Sequence, residues 1–266
     1  MIPKIIHYCW FGGNEKSEMI KRCMASWRKF CPDYEIVEWN ESNYDVTKQS
    51  FMKKAYEARK WAFVADYARV DILYRHGGVY LDTDVELISS LESLLKYEFY
   101  AGFESVPFVS FGLGFGSVKE HPVLKDILDY YDGLEFPDND FGLSMVSCPR
   151  IQTEALKKRG MVCNNETQRV DRCHIFSTEY FCPMSFKTGE TKITENTVSI
   201  HHFDMSWNSD SFKKSKSREW KLVRIFGSKW GKRLSSLVSF PGKLYGNAKD
   251  GTLVEYVRFL IGRHQQ

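Results

Sequence analysis

Residues 62–86 read AFVADYARVDILYRHGGVYLDTDVE. Val79, Tyr80 and Leu81 give an apolar strand signal directly after a Gly-Gly break, and Asp82 and Asp84 stand at its end. Residues two apart in a strand point to the same side, so the two carboxylates are expected to converge while Thr83 faces away. Carboxylates that close repel one another unless a cation neutralises them, and Mg²⁺ or Mn²⁺ commonly bridges such oxygens to substrate phosphates. Taken alone, a D-x-D triplet is more often a polar turn, so the residues before it carry the decision.

Ala62 to His76 has the pattern of a helix stopped by Gly77 and Gly78, which suit the left-handed C-terminal cap. Phe63, Tyr67, Val70 and Tyr74 mark its core face. Asp66 and Arg69 lie three apart, hence on one face, and would present an acceptor and a fork of donors to a sugar hydroxyl and a phosphate. A local ion pair is the plainer alternative. Upstream, Lys4–Tyr8 reads as a buried parallel strand leading into a glycine loop, with Trp10 just past its end. In a doubly wound sheet, ligands bind beyond the carboxyl ends of the strands, where Trp10 would stack on a base. A packed core tryptophan is the competing reading, and His7 reads as a packed, hydrogen-bonded histidine.

Three blocks in this order, IPKIIHYCWFGG at 2–13, the D-Y-A-R to D-T-D block, and HHFDMSW at 201–207, resemble the DXD-containing glycosyltransferases of family 32. These include bacterial capsular polysaccharide transferases and relatives of yeast mannosyltransferases. More distantly, the blocks are similar to the catalytic domain of the large clostridial glucosylating toxins. The resemblance implies a GT-A-type, Rossmann-like nucleotide-sugar-binding α/β sheet flanked by helices. It also implies a metal ion, Mn²⁺ or Mg²⁺, held by Asp82, Asp84 and a ligand from the third block. The toxins' spacing lands on His202, with His201 beside it, but the toxin ligand is a carboxylate, so the choice between the two histidines stays open, with phosphate binding as the alternative role for either. An imidazole would favour Mn²⁺ over Mg²⁺. Donor binding is expected from Tyr8, Trp10, Asp66, Arg69, Tyr80, Asp82, Ser206 and Trp207, with Asp82, Asp84, Arg69 and Asp66 as the catalytic set. UDP is the favoured nucleotide, transfer is expected with retention at the anomeric carbon, and Glu104 and Asp140 are further candidates for sugar contacts.

Alternating strand and helix signals agree with an α/β sheet. The first helix carries Ile20, Met24, Trp27 and Phe30 or Cys31 on one face, a strand follows through Tyr34 to Glu38, and a second helical region runs over about 47–60. Residues 111–117, FGLGFGS, lack the lysine and hydroxyl of a Walker loop. They are expected to form a strand whose small residues let substrate approach. The seven cysteines show neither C-x-x-C pairs nor zinc spacing and read as reduced thiols. No signal-peptide pattern or membrane-spanning run stands out, so a cytoplasmic protein is expected, and the resemblance implies a bacterial one.

Residues 1–210 are read as the catalytic domain and 211–266 as a basic, mainly helical extension. The latter holds 13 Lys and Arg against 3 acidic residues, +10, and leaves the remainder at −7. Basic and apolar residues alternate there as in an amphipathic helix at an anionic membrane surface, which suggests peripheral attachment to the inner face of the plasma membrane. A lipid-linked oligosaccharide of a capsule or O-antigen would be the acceptor. No nucleic-acid module accompanies the charge. Two other classes compete. A glycoside hydrolase needs carboxyls about 5 to 9 Å apart rather than sharing one metal, and a non-catalytic sugar-binding module would keep the site without turnover.

Overall fold

The computed structural model describes residues 1–137, 139, 142, 145–205 and 210–249. Asp140, Ser206 and Trp207, all expected near the substrates, lie outside them. One compact unit comprises Met1–Met184 and Thr191–Trp207. Its strands are β1 (Ile5–Cys9), β2 (Glu35–Trp39), β3 (Gly78–Tyr80), β4 (Val85–Leu87), β5 (Phe99–Ser105), β6 (Phe108–Ser110), β7 (Phe115–Ser117), β8 (Gln168–Val170), β9 (Cys173–Phe176) and β10 (Ser199–His201). Its helices are α1 (Glu18–Phe30), α2 (Ser50–Glu57), α3 (Trp61–His76), α4 (Pro122–Asp132), α5 (Cys148–Lys158) and α6 (Thr178–Phe181).

The main sheet runs β2-β1-β3-β7-β5-β9-β8, with β6 paired to β5. β2, β1 and β3 are parallel, as are β5 and β9, while β7 is antiparallel to both its neighbours. The chain enters at β1, crosses through α1 to β2 on one side, and returns through α2 and α3 to β3 on the other. The strand order therefore reverses at β1, and open α/β sheets bind their ligands at such a point, beyond the carboxyl ends of the strands. Trp10 and Asp82 follow the carboxyl ends of β1 and β3.

Local chemistry fixes this entry. Ser17 caps α1, its hydroxyl accepting from the Ile20 amide at 3.3 Å, and the helix buries Ile20, Cys23, Ser26 and Trp27. The Trp27 indole is fully buried and donates to the Val85 carbonyl at 2.7 Å. That bond ties α1 to the strand that follows the aspartates. At the glycine pair, Gly77 (φ 69°) ends α3 as expected, but Gly78 has a second task. A Cβ there would lie 2.8 Å from the Ile5 carbonyl oxygen and 2.9 Å from His7 Nε2, so only glycine lets β3 lie this close to β1.

α3 departs from the one-sided helix expected of it. Val64 and every residue from Asp66 to Leu73 are buried, as in a helix enclosed on all sides. Asp66 and Arg69 are thus interior residues, 8% and 4% exposed. Residues 111–117 also differ from the expected strand. Phe111–Leu113 form a 3-10 turn between β6 and β7, and the glycines admit protein side chains rather than substrate: Gly116 faces the Tyr100 ring and Gly112 faces Asp82. All seven cysteines are free thiols.

The second unit joins Ser185–Glu190 to the C-terminal segment. The expected boundary at residue 210 left that internal loop with the catalytic domain. It packs instead on α7 (Asp210–Lys249), where the Trp220 indole donates to the Phe186 carbonyl at 2.9 Å and lies against Gly189. α7 is not one continuous helix, because Gly227 (φ 75°, ψ 164°) breaks it. Among the described residues, no helix is long and apolar enough to cross a membrane.

Candidate metal and donor site

Asp82 and Asp84 lie beyond β3, in the turn that leads to β4. Strand alternation is therefore not what brings them together. The chain tightens between them, the Val85 amide donating to the Asp82 carbonyl at 3.0 Å, and the turn sets both carboxylates toward one point. The third group arrives on β10, which pairs antiparallel with β4 so that His201 stands opposite Val85 and Ile200 opposite Glu86. One ligand atom from each of Asp82, Asp84 and His201 lies within 4.8 Å of the other two.

This corrects the expectation for His202. Adjacent residues on a strand face opposite ways, and the register sends His202 to Glu86, Nε2 to Oε2 2.7 Å, while His201 Nε2 reaches Asp84 Oδ1 at 3.2 Å. Phe203 packs edge-on against the His201 ring, centroids 4.3 Å apart. The Asp204 amide donates to Asp84 Oδ2 at 2.8 Å, a contact no side-chain motif announces.

Arg69 completes the electrostatics. Its Nη2 lies 3.1 Å from both Asp66 Oδ1 and Asp82 Oδ1, and its guanidinium sits over the Tyr80 ring at 5.1 Å. Burial works against its charge, but Asp82, Tyr80 and Asp66 hold the guanidinium firmly protonated. Burial lifts the Asp82 carboxyl above the usual range, and Asp84 adds to this against the pull of Arg69 and His201. Burial acts on Asp84 in the same sense and is outweighed by the charge and hydrogen bond of His201 and by the Asp204 amide, which hold it below the usual range. Desolvation of His201 is likewise outweighed, by Asp84 first and then Glu104 and Asp82, so its imidazole is pushed up to about 9. The two aspartates are thus driven apart by their surroundings, an arrangement typical of functional sites.

A divalent cation fits this donor set. Two carboxylates and an imidazole converge, His201 Nδ1 is buried without a hydrogen-bond partner, and the Asp82 side chain is 26% exposed against 5% for Arg69. Asp82 is therefore the open member, with Arg69 behind it. Oxygen ligands suit Mg²⁺ and Mn²⁺ alike, and the imidazole shifts the balance to Mn²⁺.

The remaining expected donor residues divide. Trp10 is half-buried past the end of β1, its indole donating to the Asn14 carbonyl at 2.7 Å and its ring lying 5.0 Å from Lys16 Nζ. Tyr8 is corrected: it is buried edge-on against Trp27, and its hydroxyl donates to Glu38 at 2.5 Å. Tyr80 is corrected as well, being 1% exposed beneath Arg69. Asp66 holds Arg69 from behind rather than facing a ligand.

Gly112 is the residue that the sequence concealed. The turn carrying it is held to α5 by the Phe111 amide donating to Gln152 Oε1 and the Val109 amide donating to Thr153 Oγ1, both at 2.9 Å. A Cβ on Gly112 would lie 2.3 Å from Asp82 Oδ2 and 3.1 Å from Arg69 Nη1. Its φ is not left-handed, so alanine strains only these side chains. Gly112→Ala is expected to leave the melting temperature nearly unchanged while cutting metal affinity and turnover by about 10²-fold, the scale of an ångström-size misplacement. Wild-type metal affinity in this variant would show that Asp82 has room to move.

Residues 17–100 match the family described as "Glycosyltransferase sugar-binding region containing DXD motif". The chain is 33% identical over 131 residues to inositol phosphoceramide mannosyltransferase 3 of Schizosaccharomyces pombe, covering 48% of this chain and 36% of that protein. It is 33% identical over 143 residues to a mannosyl phosphorylinositol ceramide synthase of Saccharomyces cerevisiae, covering 50% and 36%. The matches thus span little more than a third of these relatives. Among solved structures it is similar to the PaToxG glycosyltransferase, at 19% identity and a TM-score of 0.46 over 59% of this chain and 69% of the other. It is also similar to a glycosyltransferase involved in glycosylating the major capsid of PBCV-1, at 12% identity and a TM-score of 0.43 over 82% of this chain and 100% of the other. The residues matching the DXD-motif family run from α1 through the D-x-D turn to the start of β5.

Proposed function

We propose that this protein is a metal-dependent, retaining glycosyltransferase that moves a hexose from a nucleotide sugar, UDP-linked in the favoured case, to a lipid-linked oligosaccharide of a bacterial surface glycan. It would act in the cytoplasm at the inner face of the plasma membrane. The observation that carries the reading is the convergence of Asp82, Asp84 and His201 at the carboxyl ends of the parallel strands, one ligand atom from each lying within 4.8 Å of the others. The named activity of the relatives, mannosyl transfer to an inositol phosphoceramide, supports a hexose and a lipid-borne acceptor. It makes GDP-mannose the donor to set against UDP-sugars.

Asp82, Asp84 and His201 would hold Mn²⁺ or Mg²⁺, which when bound supplies Lewis-acid neutralisation of the charge that grows on the departing diphosphate. Arg69 keeps Asp82 ionised and in place. His201, held protonated by Asp84, must shed that proton before it can act as a ligand, and Trp10 offers a ring at the strand end for the base.

The test is thermal stability with UDP, UDP-sugars or GDP-mannose, each with Mn²⁺, Mg²⁺ or EDTA. Metal-dependent stabilisation by one nucleotide class is expected, about 2.7 kcal/mol at a hundredfold excess over Kd. Since Asp82 ionises through about 6 and His201 deprotonates through about 9, metal affinity should climb about tenfold per pH unit between those values as one proton is displaced. No stabilisation by any nucleotide with either metal would overturn the proposal. Stabilisation without transfer or donor hydrolysis would point to a binding module.

A further inference from the structure

α7 folds back on itself at Gly227. A straight helix separates residues eight apart by about 12 Å, yet a Cβ on Gly231 would lie 2.4 Å from the Val223 Cα and 2.6 Å from the Leu222 carbonyl carbon. Gly231 lies in this seam, and Ser235, one turn on, is buried as well. Two apolar residues of the first arm are thereby occupied, Val223 by Gly231 and Trp220 by Phe186 and Gly189.

The corner itself is exposed. Ile225 is 71% exposed, Phe226 50% and Trp230 59%, three large apolar side chains within six residues. Lys221, Arg224, Lys229, Lys232 and Arg233 surround them, all exposed, with the Arg233 guanidinium 5.4 Å from the Trp230 ring centroid. No acidic residue occurs between Lys221 and Lys249. An amphipathic helix lying flat on a surface would spread its apolar residues along a stripe. Here they are gathered at a turn.

We propose that this corner seats in an anionic lipid bilayer, Ile225, Phe226 and Trp230 entering the boundary between headgroups and acyl chains while the surrounding cations meet lipid phosphates. Charge complementarity with an acid-free surface selects an anionic partner. The apolar corner selects lipid over nucleic acid, because phosphates satisfy the cations of either but only acyl chains give Ile225 a reason to be exposed. The flat-lying single helix expected from the sequence becomes a corner-first contact.

The test uses the full chain with vesicles of phosphatidylglycerol and phosphatidylcholine, and of phosphatidylcholine alone. Binding to the anionic vesicles only is expected. The triple variant Ile225→Ser, Phe226→Ser, Trp230→Ser keeps every charge and should lose on the order of tenfold or more in affinity. Lys229→Glu, Lys232→Glu, Arg233→Glu should lose about 10²-fold or more, at about fivefold per basic residue. Brominated lipid should quench tryptophan emission more in the parent chain than in Trp230→Phe, which keeps the corner apolar and so reads insertion even if a triple variant misfolds. Undiminished affinity in the serine variant, equal quenching with and without Trp230, or capture by a single-stranded oligonucleotide but not by vesicles would overturn the proposal. The corner holds none of the metal-site residues, so metal-dependent nucleotide stabilisation should persist in both triple variants, and failure of either proposal leaves the other standing.

Discussion

Asp84→Asn is expected to lower turnover about 10³-fold while costing the metal-free protein about 2–3 kcal/mol of stability near neutral pH. The first number follows from the ligand set. Replacing the carboxylate with an amide removes the one ligand that its surroundings hold ionised, and several kcal/mol of Lewis-acid stabilisation at about 1.36 kcal/mol per tenfold gives the loss. The second follows from His201. Its pKa is pushed up chiefly by Asp84 against the cost of burial, so without Asp84 it releases its proton instead of remaining a buried, unpaired cation. Sign matters for the control. The raised His201 pKa contributes stability that is complete below its ordinary value of 6.5 and disappears as pH rises through about 9. The stability difference between parent and variant from this group should therefore vanish in alkaline buffer, while the activity difference remains. Turnover within tenfold of the parent at saturating Mn²⁺ would remove Asp84 from the metal site.

Arg69→Met is expected to be the most destabilising single change at the site, by about 3–5 kcal/mol, because it strands buried carboxylates. Arg69 lies 3.1 Å from oxygens of both Asp66 and Asp82, and burial raises the pKa of each even with the guanidinium present. Acids whose folded pKa lies above the unfolded value cost stability once they ionise, so the deficit should be largest near neutral pH and shrink as pH falls toward 4. At about 2–4 °C per kcal/mol for a domain of this size, the melting temperature should fall by about 10 °C. Adding Asp66→Asn should recover part of the loss, and so should Mn²⁺, which would neutralise Asp82 from the open side. A melting temperature within a few degrees of the parent would mean that Asp66 and Asp82 are solvated well enough to do without Arg69.

The buried strand β1, the helix before the D-x-D and its glycine stop were legible because each rests on chemistry local in the chain: an apolar run, period 3.6, and glycine where a Cβ cannot go. The same local rules misplaced three details. Tyr8 and Tyr80 stand beside the right residues but point into the core, since neighbouring positions on a strand face opposite ways. The face of α3 bearing Asp66 and Arg69 looked open because it is polar, yet it is buried, its charges satisfied by Asp82 from another element.

Sequence alone determined which residue types gather: two aspartates after a buried strand, an arginine one helical turn from a third aspartate, and a pair of histidines far along the chain. Tertiary structure alone decided which histidine stands beside the two aspartates. That choice depends on the register between β10 and β4, a pairing across more than a hundred residues in which a one-residue slip would exchange His201 for His202. It also decided that Gly112 must remain glycine, because the carboxylate filling the space of its missing Cβ comes from Asp82, thirty residues away.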